Sequence, residues 1–244
     1  MPAVLAINPN TSTSISALVE RHARAAAPEA EWRMATGRFG ARYIVSEASY
    51  AIAAHAALEA WANHSAGCDA VLLACFGDPG LLALREQSAI PVVGLAEASM
   101  RAAARDAKSF SIVTGGEKWK PMLERLAQAL GFGDALASVR TIALTGAQAA
   151  ADPDAAIAVL AAECAKAKHE DGAGAVILGG AGFAGLAARV APVVGFPIID
   201  SVIAGAQEAA RLARGAPWPY VRPGASRAAE SIALDRELAV KLKD

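Results

Sequence analysis

The residue best placed for chemistry is Cys75. It ends a short apolar run, residues 70–74, and opens the segment Cys-Phe-Gly-Asp-Pro-Gly. The thiolate is the reactive form of cysteine, and an isolated thiol has a pKa of about 8.5. A helix starting near Pro79 or Gly80 would aim unpaired N–H groups and a positive dipole end at the loop, which favours an anion there. Gly77 and Gly80 let backbone come close to a ligand. A thiolate beside a carbonyl compound can take a proton from the adjacent carbon, and loop N–H groups can hold the resulting enolate-like anion. It can also attack as a nucleophile. Neither step needs a metal, and neither a metal nor another cofactor is expected. Cys68 lies just before the apolar run and Cys164 lies in an alanine-rich stretch, so both are read as packing.

A second group surrounds the first apolar run. Asn8, Asn10 and Thr11 follow residues 4–7 in the sequence Asn-Pro-Asn-Thr. They suit a carboxylate, an amide or a ring carbonyl, and they also make a good turn and cap. Thr114 and Gly115 carry the same ambiguity. Asp78 is read as a cap for the helix after Cys75 or as an acid, with capping preferred. Asp200 either orients a loop or borders the substrate. Tyr43 either closes a cleft or simply packs. His22, His55, His64 and His169 fall in helical stretches without metal-ligand spacing, and each is read as solvated. Trp218 and Tyr220, in a proline-rich tail, are expected to pack the last segment onto a lobe.

These residues need strands to present them. Apolar β-type runs at 4–7, 70–74, 91–95, 110–113, 141–144, 175–178 and 197–199 alternate with helical stretches at 14–27, 50–65, 97–106 and 155–168. Residues 147–151, with Asp152-Pro153, are read as a connection. Continuous apolar runs are typical of parallel strands buried on both faces, and the alternation predicts parallel sheets flanked by helices. The chain also repeats itself. AVLLACFGDPGLLAL, from Ala70, matches AVILGGAGFAGLAAR, from Ala175, at an offset of 105. IPVVGLAEA matches FPIIDSVIA with Pro91 on Pro197, and LAINPN lies opposite SIVTGG with Asn8 on Thr114, both at an offset of 106. The kept order argues for duplication. The expected architecture is α/β with two pseudo-symmetric lobes, 1–96 plus 209–244 and 97–208. Ligands bind beyond the carboxyl ends of parallel strands, so the loops of both halves should border one inter-lobe cleft.

At these loops the sequence resembles the aspartate/glutamate racemase superfamily, in its hydantoin racemase-like branch. The matching pieces are INPNTS from Ile7, FGARYI from Phe39, ACFGDPGL from Ala74, PVVGLAEAS from Pro91, the glycine-rich stretch 178–182, and PIIDS from Pro197. The resemblance implies a cofactor-independent enzyme holding one cysteine in each lobe, on opposite faces of the substrate carbon. It assigns the first cysteine to Cys75. The second belongs where Leu-Gly-Gly-Ala-Gly places Gly180, and the internal repeat also sets Gly180 against Cys75. Phe76, Gly77 and Ala181 then border the substrate. Hydantoins, ureides and amino acids are the substrate classes implied.

Glycine cannot supply the acid that a two-base racemisation needs on each face. Four readings follow: a racemase or isomerase with a substitute acid such as water or Asp200; a one-cysteine lyase or decarboxylase; a nucleophilic-cysteine hydrolase; or a laboratory variant. The departure at neighbouring Phe183 points to natural drift. A small-acid binding protein without turnover is the non-enzymatic alternative.

Bulk properties bound these readings. Formal net charge is −1 over 244 residues, with acids and bases mixed, so the basic stripe of a nucleic-acid binder is missing. No apolar run is long enough to cross a bilayer, and the N-terminus lacks a signal-peptide pattern. Three cysteines do not make a disulfide framework, which suits a reducing cytoplasm. A small-molecule substrate and a homo-oligomer are expected, without nucleic-acid or membrane partners.

Overall fold

A computed structural model describes residues 1–218, 220, 234 and 236–241. The first half forms β1 (Ala3–Asn8), α1 (Thr13–Ala26), β2 (Glu31–Thr36), α2 (Glu47–His64), β3 (Ala70–Leu73), α3 (Leu81–Gln87), β4 (Val92–Gly94) and α4 (Leu95–Asp106). The second forms β5 (Phe110–Gly115), α5 (Trp119–Ala129), β6 (Leu136–Ile142), α6 (Gly146–Ala151), α7 (Pro153–His169), β7 (Ala175–Gly179), α8 (Ala187–Val194), β8 (Ile198–Asp200) and α9 (Ser201–Ala213), followed by α10 (Arg236–Lys241). Two four-stranded sheets run β2-β1-β3-β4 and β6-β5-β7-β8. Every pairing is parallel. The two orders are the same once β5 is set on β1, as the internal repeat requires.

Both faces of the central strands are covered, which explains their unbroken apolar runs. Val4, Ala6, Leu72, Phe110, Ile112 and Ile177 share one core that spans both sheets. Leu5, Ile7, Val71 and Leu73 face an outer core in the first half, and Val113, Val176 and Leu178 face one in the second. Each fully buried leucine or isoleucine contributes about 1.5–3 kcal/mol, so the shared core binds the halves firmly. Two helices cross between them. α4 leaves β4 and lies on β7 and β8, and α9 leaves β8 and lies on β1, β3 and β4. The two helices also pack against each other.

The sequence reading places the central strands correctly and misplaces the edges. β2 has no counterpart in it, because Glu31 and Arg33 interrupt the apolar pattern on a strand with one exposed face. β6 begins at Leu136, earlier than residues 141–144, for the same reason: Ser138 and Arg140 point to Asp171 at its rim. Residues 147–151 are not a bare connection. They lie in α6, which Thr145 caps in a reciprocal box with Gln148. Of the tail residues singled out, Trp218 packs against the shared core and Tyr220 against Arg85 and Glu97, while most of the last segment lies outside the described residues. The Tyr220 hydroxyl donates to Glu97 Oε1 (2.8 Å), and its ring lies 3.6 Å from the Arg85 guanidinium carbon. No described helix is long and apolar enough to cross a membrane.

Candidate active site

The carboxyl ends of β1, β3, β5 and β7 converge on a cavity of about 120 Å³ between the two halves. Cys75 lines it from one side and Gly180 from the other. With them stand Asn10, Tyr43, Phe76, Thr114, Gly115 and Ala181, all named from the sequence. Four other expected residues do not line it. Asn8 is fully buried beneath the first loop. Its Nδ2 donates to Asn10 Oδ1 (2.9 Å), Ser12 O (3.1 Å) and Ser16 Oγ (3.0 Å). Thr11 is tied by its N–H to Ala41 O (3.2 Å). The Gly77 carbonyl accepts from the Tyr50 hydroxyl (2.8 Å). Asp200 binds backbone behind the second loop, so it is not placed to act as a substitute acid.

The Asn8 network has a consequence at Asn10. Asn10 Oδ1 accepts from Asn8 and from Ser12 N (2.8 Å), which turns its Nδ2 donors toward the cavity without a partner among the described residues. The first loop is thus a prepaid donor set, because the buried amide beneath it has already been satisfied.

Cys75 is only 7% exposed and belongs to the shared core, yet it lines the cavity. Burial and the nearby Asp78 charge push its thiol well above the ordinary value. The lowered value expected from a following helix is not realised. α3 starts only at Leu81, whose N–H is spent on Asp78 O (3.1 Å), so its dipole does not reach the sulfur. The N–H groups of Phe76 and Gly77, and of their repeat partners Ala181 and Gly182, have no hydrogen-bond partner among the described residues. They form two matched donor pairs, one beside Cys75 and one beside Gly180.

Asp78 caps a different helix from the one expected. Its carboxylate accepts from Ala96 N (3.0 Å) and Glu97 N (2.9 Å), at the start of α4. It is 1% exposed, and burial lifts its carboxyl to about 7, against the pull of these two N–H groups and of Arg85. His22 also departs from the solvated reading. It packs on Gly185 between the halves, and burial lowers its pKa.

Several lining residues escaped sequence reasoning: Ile15, Ile44, Trp119, Thr145 and Gly146, while Phe183 lies in the loop 179–184 expected at the cleft. Two aromatics stitch the halves beside the cavity. Phe76 reaches across to Gly179, where a Cβ would meet its ring at 2.3 Å, and Trp119 likewise covers Gly77 at 2.4 Å. The repeat held a signal for Thr145 and Gly146. They follow β6 as the loop bearing Phe39 and Tyr43 follows β2, at the shared offset. Trp119 has no such signal, since its repeat partner is not aromatic. The described residues contain no group of three side chains able to hold a metal.

Residues 4–209 match the family model for Asp/Glu/hydantoin racemase. The chain belongs to the Asp/Glu/hydantoin racemase family. It is 36% identical to a hydantoin racemase of Pseudomonas sp. (strain NS671) over 201 residues, 82% of this chain and 81% of that protein. Among solved structures it resembles an allantoin racemase from Klebsiella pneumoniae, with 36% identity, a TM-score of 0.81 and coverage of 88% and 89% of the two chains. A second allantoin racemase, from Pseudomonas fluorescens, gives 30% identity and a TM-score of 0.84, covering 87% and 91%. The two-sheet α/β architecture is therefore that of the family, and the chain is a racemase-type enzyme acting on a small molecule.

Proposed function

We propose that this enzyme moves a proton at the carbon next to a carbonyl in a hydantoin- or ureide-like molecule, with Cys75 as its only thiol acid/base. The reading rests on one observation: Cys75 and Gly180, from the two halves, line the same inter-lobe cavity. The relatives named hydantoin and allantoin racemase supply the substrate class.

In this reading Asn10 Nδ2 and the Thr114 hydroxyl hold ring carbonyl or amide groups, and Tyr43 covers the entrance. Thiolate formation at Cys75 is easiest with Asp78 neutral, since a second negative charge nearby opposes it. The thiolate takes the α-proton, and the C–H pair delocalises into the carbonyl to give an enolate. The unpartnered N–H groups of Phe76, Ala181 and Gly182, residues that line the cavity, stabilise that oxyanion, the role such donors serve best when fixed in advance. On the Gly180 face a water molecule donates a proton to the carbanion carbon and becomes hydroxide, the product is inverted, and the Cys75 thiol then gives its proton to that hydroxide through solvent, restoring thiolate and water. The step needs no metal or organic cofactor.

The bare second face also favours a second reading, in which Cys75 delivers a proton to one face only, as a lyase would require. Turnover in D₂O separates them. Deuterium uptake at the α-carbon with inversion supports racemisation, whereas uptake with retention, or loss of carbon dioxide, moves the function to one-sided proton delivery. Ring opening would instead make Cys75 a nucleophile, and tight binding without exchange would make the protein a sensor.

The same reading keeps the lobe division at 1–96 plus 209–244 and 97–208, a reducing cytoplasmic setting, and a homo-oligomer. The open groove between α4, α8 and α9 supports association, and sedimentation of the full chain tests it.

A further inference from the structure

Each active-site loop is tied by one carboxylate to the start of the helix that follows its neighbouring strand. In the first half that carboxylate is Asp78, carried by the Cys75 loop and bound to Ala96 N and Glu97 N of α4. In the second half it is Asp200, carried by the helix start itself. Its Oδ1 accepts from Val202 N (2.9 Å) and Ile203 N (3.2 Å) of α9, and its Oδ2 reaches back to Gly185 N (2.7 Å) in the Gly180 loop. The two carboxylates come from opposite ends of the same contact. Gly94 is the repeat partner of Asp200, and a Cβ on Gly94 would fall 2.2 Å from Asp78 Oδ2. The Asp78 carboxylate therefore fills the volume that an aspartate at position 94 would use.

Two sequence costs support this arrangement. Asp78 holds φ +53, the one positive φ outside glycine among the described residues, a conformation disfavoured for a residue bearing a Cβ. Position 94 surrenders its side chain. Both are spent on placing a carboxylate at α4. The helices so gripped, α4 and α9, are the pair that crosses between the sheets and packs at the centre of the molecule.

We infer that Asp78 and Asp200 are paired positioning residues that latch the two active-site loops to the crossing helices and so fix Cys75 opposite Gly180 across the cavity. This inference rests on the proposed role of Cys75, and its test includes an arm independent of turnover. Asp78→Gly removes the first latch and relieves the backbone. Asp78→Gly with Gly94→Asp rebuilds it in the geometry of the second half, with the new carboxylate offered to Ala96 N, Glu97 N and Gly80 N. Alkylation of Cys75 by iodoacetamide, followed on its own peptide by mass spectrometry across a pH series and compared at equal thiolate fraction, reads loop position apart from the effect of the Asp78 charge on the thiol. Deuterium exchange on hydantoin and allantoin reads kcat and KM, and thermal unfolding reads stability.

The single variant should alkylate at Cys75 at least tenfold faster and lose at least tenfold in kcat, with KM within threefold. The double variant should recover both to within threefold of the unmodified protein. Unchanged alkylation and kcat in the single variant would overturn the latch. So would a double variant that regains its melting temperature but neither of the other two, since Asp78 would then be an ordinary helix cap. If Asp78→Gly does not fold, Asp78→Asn, which keeps one acceptor oxygen, must still raise alkylation. If the unmodified protein exchanges neither compound, the proposed function fails while the alkylation arm still decides the latch.

Discussion

The ring of Phe183 stands against the position where a side chain on Gly180 would begin. A Cβ there would lie 3.0 Å from Phe183 Cδ2, and Gly180 itself holds φ +141. The space and the backbone angle both suit glycine, so the loss of the second thiol is built into its surroundings. Gly180→Cys alone should cost about 1–3 kcal/mol from strain and overpacking and should not raise the inversion rate. Gly180→Cys should cost less in a Phe183→Ala background than in the native protein, although Phe183→Ala itself removes a buried ring and costs about 3–5 kcal/mol. Thermal melts and the rate of optical inversion check both, and a fast, stable single variant would contradict the packing argument.

Removing the sulfur tests the centre of the site. Cys75→Ser should lower α-carbon exchange by about 10²–10⁴-fold, the range typical of losing a positioned acid/base. The fold should persist, because serine fills nearly the same volume. Deuterium incorporation followed by NMR measures it, and near-normal exchange would remove Cys75 from the mechanism.

Asn8 and Asn10 should respond differently although only Pro9 separates them. Asn8→Ala removes the three bonds its amide donates and leaves the Asn10 N–H without its acceptor in a buried network, at a cost of about 1–3 kcal/mol of stability. Asn10→Ala should chiefly raise KM, since its Nδ2 faces the cavity. Urea unfolding and steady-state kinetics on the two variants separate the roles.

Asp78 should leave a signature in the pH dependence of stability. Its carboxyl is raised to about 7 in the folded protein, against an ordinary value of 3.8. Between those values the folded state binds more protons than the unfolded state, so this group's contribution to stability falls as pH rises through the window. Asp200, also raised by burial, acts in the same direction, while His22, lowered by burial, opposes it near its ordinary value. The difference between the native protein and Asp78→Asn isolates the term. Asp78→Asn should flatten the decline between pH 4 and about 7, and denaturant midpoints across that range would show an unchanged slope if the assignment is wrong.

Much of this was legible in the chain. Strands such as 70–74 and 175–178 announce themselves because both their faces are buried, and a fixed offset between repeats sets Gly180 against Cys75 before any coordinates exist. Asn10 and Thr114 could be placed at the cavity from their positions after strands, whereas Tyr43 follows the missed strand β2. Edge strand β2 was lost because one exposed face admits Glu31 and Arg33 into the pattern.

What the sequence determined by itself is the duplicated α/β plan, the family, and the sulfur with a bare position opposite, since all three depend on local pattern and order along the chain. Only the tertiary structure decided what each polar group does with its valences. It spent Asn8 on Asn10, turned Asp78 to α4 instead of α3, withdrew Asp200 behind the second loop, and brought Trp119 to the cavity wall. Those choices follow from burial and from contacts between residues distant in sequence, where a hydrogen bond must be found for each polar atom taken out of water. The same burial, not the helix dipole, sets the protonation of Cys75.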